Sequence, residues 1–376
     1  MPRLRSTTAR AQSAKTPPAL KRSRKRREDK FDQRFSDAMK ALEIGVASPI
    51  ALALSGGGDS TALMRFLGHW AQVAARSNTN SSLHALIVDH GLRGSSAGEA
   101  KKVAARARAA GWRPHILKWT GEKPESNIED AARKARYALM GKWCQKNNAK
   151  FLSVAHTRDD VAETFLLRLG RGSGVDGLSA MRALAPYPMD GFTELGIARP
   201  LLDFGREELR SYLEKEGIVW LEDPMNENPR FSRVRVRALM PALEAAGISQ
   251  QRIVDAARHL ARAREALDAD ANQLLREYTH MDAQGTIFVD RRALIAVPRE
   301  IGLRALSKLI VEVSGAVYRP RFERLSALYS ALYETERFRA RTLHGCRMGP
   351  APRRLQLFGS ATIEIKQEKA RKRPSQ

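Results

Sequence analysis

From about Phe35 onward, short apolar runs alternate with longer amphipathic stretches. Ile50–Leu54 (IALAL) is a continuous apolar run closed by glycines, the mark of a strand covered on both faces. Leu63, Phe66, Leu67 and Trp70 then recur at helical spacing. The same alternation continues: strands are expected at Leu83–Val88, Pro114–Trp119, Phe151–Ala155 and Ile197–Leu201. Helices are expected at Glu99–Ala110 (stopped by Gly111), Ile128–Asn147, Asp159–Leu169 and Arg206–Glu216. Strands separated by helices imply a parallel sheet with helices on both faces and its ligand-binding loops along one edge. Past Pro241 the texture changes to a long Ala/Leu/Arg-rich helix at Gln251–Tyr278. A strand follows at 285–290, helices at 299–313 and 320–334, and a small sheet from 341–348, 354–358 and 361–365.

Composition sharpens this picture. The chain has 376 residues, of which 43% are hydrophobic and 28% charged, with a formal net charge of +24. No apolar run reaches the ~18–20 residues that cross a bilayer, so a membrane-spanning protein is excluded and a cytoplasmic one expected. Cys144 and Cys346 are too few for a disulfide framework or a cysteine-only metal cluster. Residues 1–30 carry a net charge of +9 and 366–376 carry +4, leaving +11 for the body between them. Both ends are basic and poor in large apolar residues, so they read as disordered. The expected divisions are a basic extension at 1–34, a catalytic domain at 35–240, a mainly helical region with a small sheet at 241–365, and a tail at 366–376. Such a balance suits a polyanionic partner.

The sharpest chemical signal is Ser55-Gly56-Gly57-Gly58-Asp59-Ser60, lying between the first strand and the first long helix. Glycines let backbone N–H groups close around phosphate oxygens, and the helix start adds unpaired N–H groups with the positive end of its dipole. The loop has no Walker lysine and does not read G-x-G-x-x-G, so it is a different phosphate cradle. Asp159, Asp160 and Glu163 open the helix after the fourth strand, at the same expected sheet edge. Spacings of three and four put Glu163 on a face with either aspartate. Such carboxylates suit Mg²⁺ or a cationic amine, although aspartates in a first helical turn also favour the helix dipole without any catalysis. His90 and His156 sit at strand ends, of which His156 is the better site candidate.

The string SGGGDS resembles the PP-loop of the ATP pyrophosphatases. Val88-Asp89-His90-Gly91-Leu92-Arg93, Asn127–Arg133 with Arg136-Tyr137, and His156-Thr157-Arg158-Asp159-Asp160 with Glu163-Thr164 extend the match. Arg199-Pro200-Leu201-Leu202, Glu222-Asp223-Pro224 and Asn226 complete a resemblance, over most of residues 45–240, to the tRNA(Ile)-lysidine synthetases. One departure is Arg233-Val234, where the family pattern has Arg-Asn.

The resemblance implies an α/β fold: an N-terminal Rossmann-like PP-loop domain of the adenine nucleotide α-hydrolase type, then a mainly helical C-terminal domain. It implies ATP-dependent ligation of L-lysine to C2 of the wobble cytidine in CAU-anticodon tRNA(Ile), with AMP and pyrophosphate released and AUA decoding gained. Ser55, Gly56, Gly57, Gly58, Asp59 and Ser60 are then expected to hold ATP, with Ala53, Asp89 and His90 beside the adenosine. Asp59, His156, Asp159, Asp160 and Glu163 are the expected catalytic set, with Asp160 and Glu163 as Mg²⁺ ligands. Arg93, Arg133, Arg168, Arg171, Arg230, Arg233, Arg235 and Arg237 are the expected tRNA contacts, and a homodimer is left open. A cytidine thiolase with the same loop, or a non-catalytic RNA-binding protein, are the alternatives. The first commonly needs paired cysteines, and the intact loop and acids argue against the second.

Overall fold

A computed structural model of the chain describes residues 18–45, 48–75, 82–124, 126–222, 231–316, 318–334 and 338–368, with the side chains before Lys30 left out. The N-terminal sheet is built from β1 (Ile50–Ala53), β2 (Leu83–Asp89), β3 (Arg113–Lys118), β4 (Phe151–Ser153), β5 (Leu184–Pro186) and β6 (Gly196–Ala198). Its strand order is β3-β2-β1-β4-β6-β5, parallel throughout except for the β5–β6 pair. The sequence pattern does not show β5, a three-residue edge strand ending in Pro186, where a missing N–H does no harm to the ladder.

Helices α2 (Gly58–Ala75), α3 (Ser96–Ala109), α4 (Ile128–Lys146), α5 (Arg158–Leu169) and α7 (Arg206–Lys215) cover the sheet, and α6 (Val175–Leu178) is a short turn after α5. Leu52, Ala85 and Ile87 face one core with Phe66, Val103, Leu209 and Tyr212. Their neighbours Ala51 and Leu86 face the other with Tyr137, Met140 and Cys144. That period-2 division of wholly apolar strands is what a sheet buried on both sides requires. Strand order turns around at β1, which pairs with β2 on one side and β4 on the other. The crevice outside this switch point therefore lies between the loops after β1 and β4.

Three expected boundaries shift. Helix α1 (Pro18–Ala41) runs through residue 34, so the segment from Pro18 is not an unstructured extension. Phe31, Phe35 and Met39 form its apolar stripe and, with Leu42 just past its end, pack in the core with Phe66 and Phe204, which outweighs the basic composition upstream. Residues 1–17 and 369–376 lie outside the described residues, and Lys366 and Gln367 end the last strand instead of opening a tail. Helix α8 (Ser232–Ala245) likewise runs through residue 240. The break comes at Gly247 (φ +81°), before Ser249 caps α9 (Gln250–Tyr278).

The C-terminal body packs α9, α10 (Arg291–Ala296), α11 (Arg299–Ser314) and α12 (Phe322–Glu334) on a five-stranded antiparallel sheet. Its strands are β7 (Thr279–Met281), β8 (Ile287–Asp290), β9 (Arg341–Leu343), β10 (Cys346–Pro350) and β11 (Thr362–Gln367), in the order β7-β8-β11-β10-β9. The segment expected as a strand at 354–358 is instead a 3-10 turn at Arg353–Leu355 and irregular chain. Val161 and Ala162 of α5 join Ile253, Val254 and Ala257 of α9 in an apolar cluster, tying the two bodies together. No helix among the described residues is long and apolar enough to cross a membrane.

Candidate active site

The loop after β1 is shaped by its own small residues. Gly56 has φ +89°, and a Cβ there would stand 2.5 Å from Val103 Cγ2, so no larger residue fits. The Ser55 and Ser60 hydroxyls are 3.0 Å apart, and Ser60 Oγ accepts from Gly56 N at 3.2 Å while donating to Gly57 O at 3.0 Å. The Gly56 carbonyl accepts from Leu221 N at 2.8 Å, and helix α2 begins at Gly58. The result is a pre-shaped turn that opens onto a helix N-terminus, the geometry that binds phosphate.

Across the crevice, α5 starts on a capping box. Asp160 Oδ2 accepts from Thr157 N at 2.8 Å and from Thr157 Oγ1 at 3.0 Å. Asp160 and Glu163 are both buried. Asp159 turns instead to α7 and accepts from Arg206 N at 2.8 Å, capping that helix. Its position is explained by structure alone.

One side chain joins the loop to these acids. The Arg206 guanidinium donates from Nε to Asp59 Oδ2 at 3.3 Å, from Nη2 to Asp160 Oδ1 at 3.4 Å and from Nη1 to Glu163 Oε1 at 2.9 Å. From α8, Arg233 Nη1 reaches Asp160 Oδ1 at 3.0 Å and Arg237 Nε reaches Glu163 Oε1 at 2.6 Å. Three carboxylates thus meet three guanidiniums. Burial works against the Arg206 charge, yet Asp160, Glu163 and Asp59 together hold its pKa above the ordinary arginine value. Burial also opposes ionisation of Asp160, but Arg206, His156, the Thr157 N–H and Arg233 outweigh it and leave that pKa lowered. Asp59 goes the other way: burial pushes it up to about 6, only partly offset by Arg206.

Sequence alone does not point to Arg206. It is the first residue of a helix more than a hundred positions from the loop, and a lone arginine there looks solvated. The available signal was the order of strands: α7 follows the strand beside β4, so its N-terminus opens on the same edge. Arg199, part of the family pattern but without an expected role, donates from Nε to His156 Nδ1 at 3.1 Å. Burial, with Arg199, Arg233 and Arg133 nearby, brings His156 down to about 4 despite Asp160. The ring is therefore neutral at pH 7 with its proton on Nε2. From Nε2 it can donate a hydrogen bond.

Asp59 Oδ1 is buried and takes no hydrogen bond among the described residues. A hard, unpartnered carboxylate oxygen beside a phosphate loop fits Mg²⁺. Asp160 and Glu163, expected as the metal ligands, fit less well because guanidiniums and Thr157 already engage their oxygens. Among the described residues no group of three His, Cys, Asp or Glu side chains is spaced to hold a metal ion.

The remaining expected residues are more scattered. Ala53 ends β1, and Asp89 ends β2, where its Oδ1 accepts from Ser96 Oγ at 2.7 Å and from Gly91 N at 3.1 Å. His90 meets Arg136 Nη2 at 3.2 Å through Nε2, and burial together with Arg136 lowers it to about 4. Arg93 pairs with Glu99 at 3.4 Å, Arg133 lies over the Tyr137 ring, and Arg168 donates to Gly177 O at 2.7 Å. Arg171 and Arg235 are exposed. Arg233 and Arg237, expected on tRNA phosphates, point into the carboxylates. Arg230, Asp223, Pro224 and Asn226 lie outside the described residues.

Comparison with known proteins agrees with this geometry. Residues 27–243 match the family model of the PP-loop domain. The chain is 41% identical to the tRNA(Ile)-lysidine synthase of Ruegeria pomeroyi over 298 residues, 79% of this chain and 68% of that one. It is 40% identical to that of a Bradyrhizobium strain, over 70% of this chain and 74% of the relative. With that of Wolbachia pipientis wMel, 37% identity covers 80% and 68% respectively. Among solved structures, the U34-tRNA thiolase of Methanococcus maripaludis shares the fold at TM-score 0.51 and 18% identity, over 62% of this chain and 79% of that one.

Proposed function

The chain belongs to the tRNA(Ile)-lysidine synthase family of PP-loop proteins, and on that premise we propose that the cleft around Arg206 is where ATP, L-lysine and the wobble cytidine of tRNA(Ile) meet. The protein ligates L-lysine to C2 of the wobble cytidine of CAU-anticodon tRNA(Ile), consuming ATP. A single observation carries the assignment of the cleft: one guanidinium bonds at once to the phosphate-loop aspartate and to the two buried acids of α5.

The chemistry explains why these parts are needed together. A cytosine C2 carbonyl is a poor electrophile with no leaving group, and adenylation of O2 supplies both. The loop from Ser55 to Ser60 binds the β- and γ-phosphates, so the bond that breaks at the α-phosphorus releases pyrophosphate into donors already oriented for it. Asp59, through Oδ1, would hold Mg²⁺, which neutralises charge building up on the phosphates. Lysine must arrive with a free ε-amine, and deprotonating an ammonium of pKa ~10.4 at pH 7 costs about 4–5 kcal/mol. Asp160 and Glu163 are the groups that bind and orient the ammonium end, whose proton passes to water before attack. They do so where Arg233 and Arg237 now rest, and Arg206 keeps both acids aimed into the cleft. His156, fixed by Arg199, donates through Nε2 to an oxygen of the activated base or phosphate. The C2–O2 bond then breaks and AMP leaves with O2.

The thiolase alternative meets a physical obstacle. Cys144 is buried in the N-terminal core and Cys346 in the C-terminal core, and burial pushes the Cys144 thiol up to about 12. Neither is placed to carry sulfur or bind a cluster. The test is incubation with CAU-anticodon tRNA(Ile), ATP and isotope-labelled lysine, followed by nucleoside mass analysis. Label in lysidine with equimolar AMP is expected, and folded protein that consumes ATP without transferring lysine contradicts the reading.

A further inference from the structure

From the connection after α11 into the first turn of α12 the chain reads Tyr318-Arg319-Pro320-Arg321-Phe322-Glu323-Arg324. Pro320 is buried, and His344 Nε2 holds the Tyr318 carbonyl at 2.8 Å, so the turn is pinned against the β9–β10 hairpin. Its two aromatic rings nevertheless face outward: Tyr318 is 71% exposed and Phe322 63%. Rings of this size normally go inside, and two flanking one anchored proline form a pair of open stacking faces. Beside them Arg319, Pro320, Arg321 and Arg324, with Leu343 and His344, line a concavity of about 290 Å³.

The charges around the rings separate into two kinds. Arg319 is held by Asp176 of α6. Arg321 and Arg324 are exposed, and their guanidiniums make no ion pair or hydrogen bond among the described residues. Glu323 is the only acid within the turn. Guanidiniums without counter-charges beside open aromatic faces are the combination that binds single-stranded nucleic acid: bases stack and phosphates pair. The turn also faces the catalytic body. Arg319 ties the turn to that body through its ion pair with Asp176 of α6, the short helix after α5. Helix α4 carries Arg133 and Arg136, and Arg136 reaches His90 at the ligand-binding edge of the sheet.

We propose that the Tyr318–Arg324 turn is a single-stranded RNA subsite, in which Tyr318 and Phe322 stack unpaired nucleotides of the tRNA while Arg321 and Arg324 take the adjoining phosphates. It rests on the tRNA reading above and adds a grip on unpaired nucleotides outside the reaction cleft. A wobble cytidine pulled into that cleft leaves its neighbours without stacking partners, and two exposed rings replace them.

The experiment measures binding of the full chain to CAU-anticodon tRNA(Ile), to an unstructured decanucleotide and to an RNA duplex of equal length, alongside KM for tRNA and for lysine. Replacing both rings (Y318A/F322A) should weaken decanucleotide binding by about five- to a hundredfold per ring. KM for tRNA should rise, while duplex binding and KM for lysine stay near wild type. The conservative pair Y318F/F322Y should restore affinity, which a merely structural role for the hydroxyl would not predict. In R321Q/R324Q the salt slope of binding should fall by about 0.7 for each phosphate that is no longer neutralised. Unchanged tRNA affinity in Y318A/F322A, or an equal loss for the duplex, overturns the subsite. So does a self-association of the wild type that this variant abolishes while RNA binding persists. Wild-type protein that forms no lysidine but still binds the single strand through these rings overturns the reaction reading and leaves the subsite standing.

Discussion

Replacing Arg206 with methionine keeps most of the side chain's length and removes its charge. The native guanidinium side chain is 17% exposed and touches acids that are 23%, 8% and 3% exposed. Breaking a buried ion pair by removing one partner costs about 3–5 kcal/mol. Here Arg233 and Arg237 still serve Asp160 and Glu163, so the loss concentrates on Asp59 and the low end of that range applies. Each kcal/mol lowers Tm by roughly 2–4 °C for a domain of this size, so a drop of about 6–12 °C is expected. The sign of the pH effect follows from Asp59. Its folded pKa of about 6 stands above the ordinary aspartate value of 3.8, so the native state holds the proton more tightly than the unfolded chain. Its ionisation therefore costs stability, progressively between pH 4 and 6, by roughly 3 kcal/mol in full at ~1.36 kcal/mol per unit. Without Arg206 that pKa rises further, and Asp59 becomes largely protonated at pH 7. The acid limb of AMP formation in R206M should move to higher pH and the rate at pH 7 should fall at least about tenfold. R206K should not restore it, since one ammonium does not span three carboxylates. AMP release measured from pH 5 to 9 decides the matter: a variant with a wild-type profile and Tm would refute the role given to Arg206.

Other expectations are narrower. G56A forces a Cβ to within 2.5 Å of Val103 at a positive φ, so ATP binding should be lost while the C-terminal body melts normally; calorimetric titration with ATP checks this. H156Q keeps a donor near the Nε2 position and should retain most activity with an unshifted pH profile, whereas H156L should lose it. An acid limb that disappears in H156Q would restore a proton-accepting role to the ring. G302A pushes a methyl into the Tyr329 hydroxyl, which itself donates to Leu294 O at 2.8 Å, so it should cost several kcal/mol of stability by chemical denaturation.

Much of the catalytic body is legible in the sequence because its signals are local. The apolar run before three glycines fixes β1 and the loop, and the acids of α5 lie close behind a strand end. What is not legible depends on packing between distant segments. Helix α1 has an apolar stripe at Phe31, Phe35 and Met39, but the basic run before it dominates the composition. Arg206 gains its meaning only when β6 takes its place beside β4 and brings α7 to the crevice. Arg233 and Arg237 look like a phosphate-binding stripe in sequence. In the fold the same spacing of four puts both on the face of α8 that meets Asp160 and Glu163. Asp89 and Asp159 match their family patterns, yet their oxygens are taken by a turn and a helix cap.

The claim that matters most is that this cleft activates the cytidine through O2 before lysine attacks. A tRNA(Ile) carrying ¹⁸O at O2 of the wobble cytidine tests it directly, with AMP and the modified nucleoside analysed by mass. One ¹⁸O should appear in the phosphate of AMP for every lysidine formed, and D59N should yield neither product. Lysidine formed with unlabelled AMP would contradict the account, because O2 would then have left by another route.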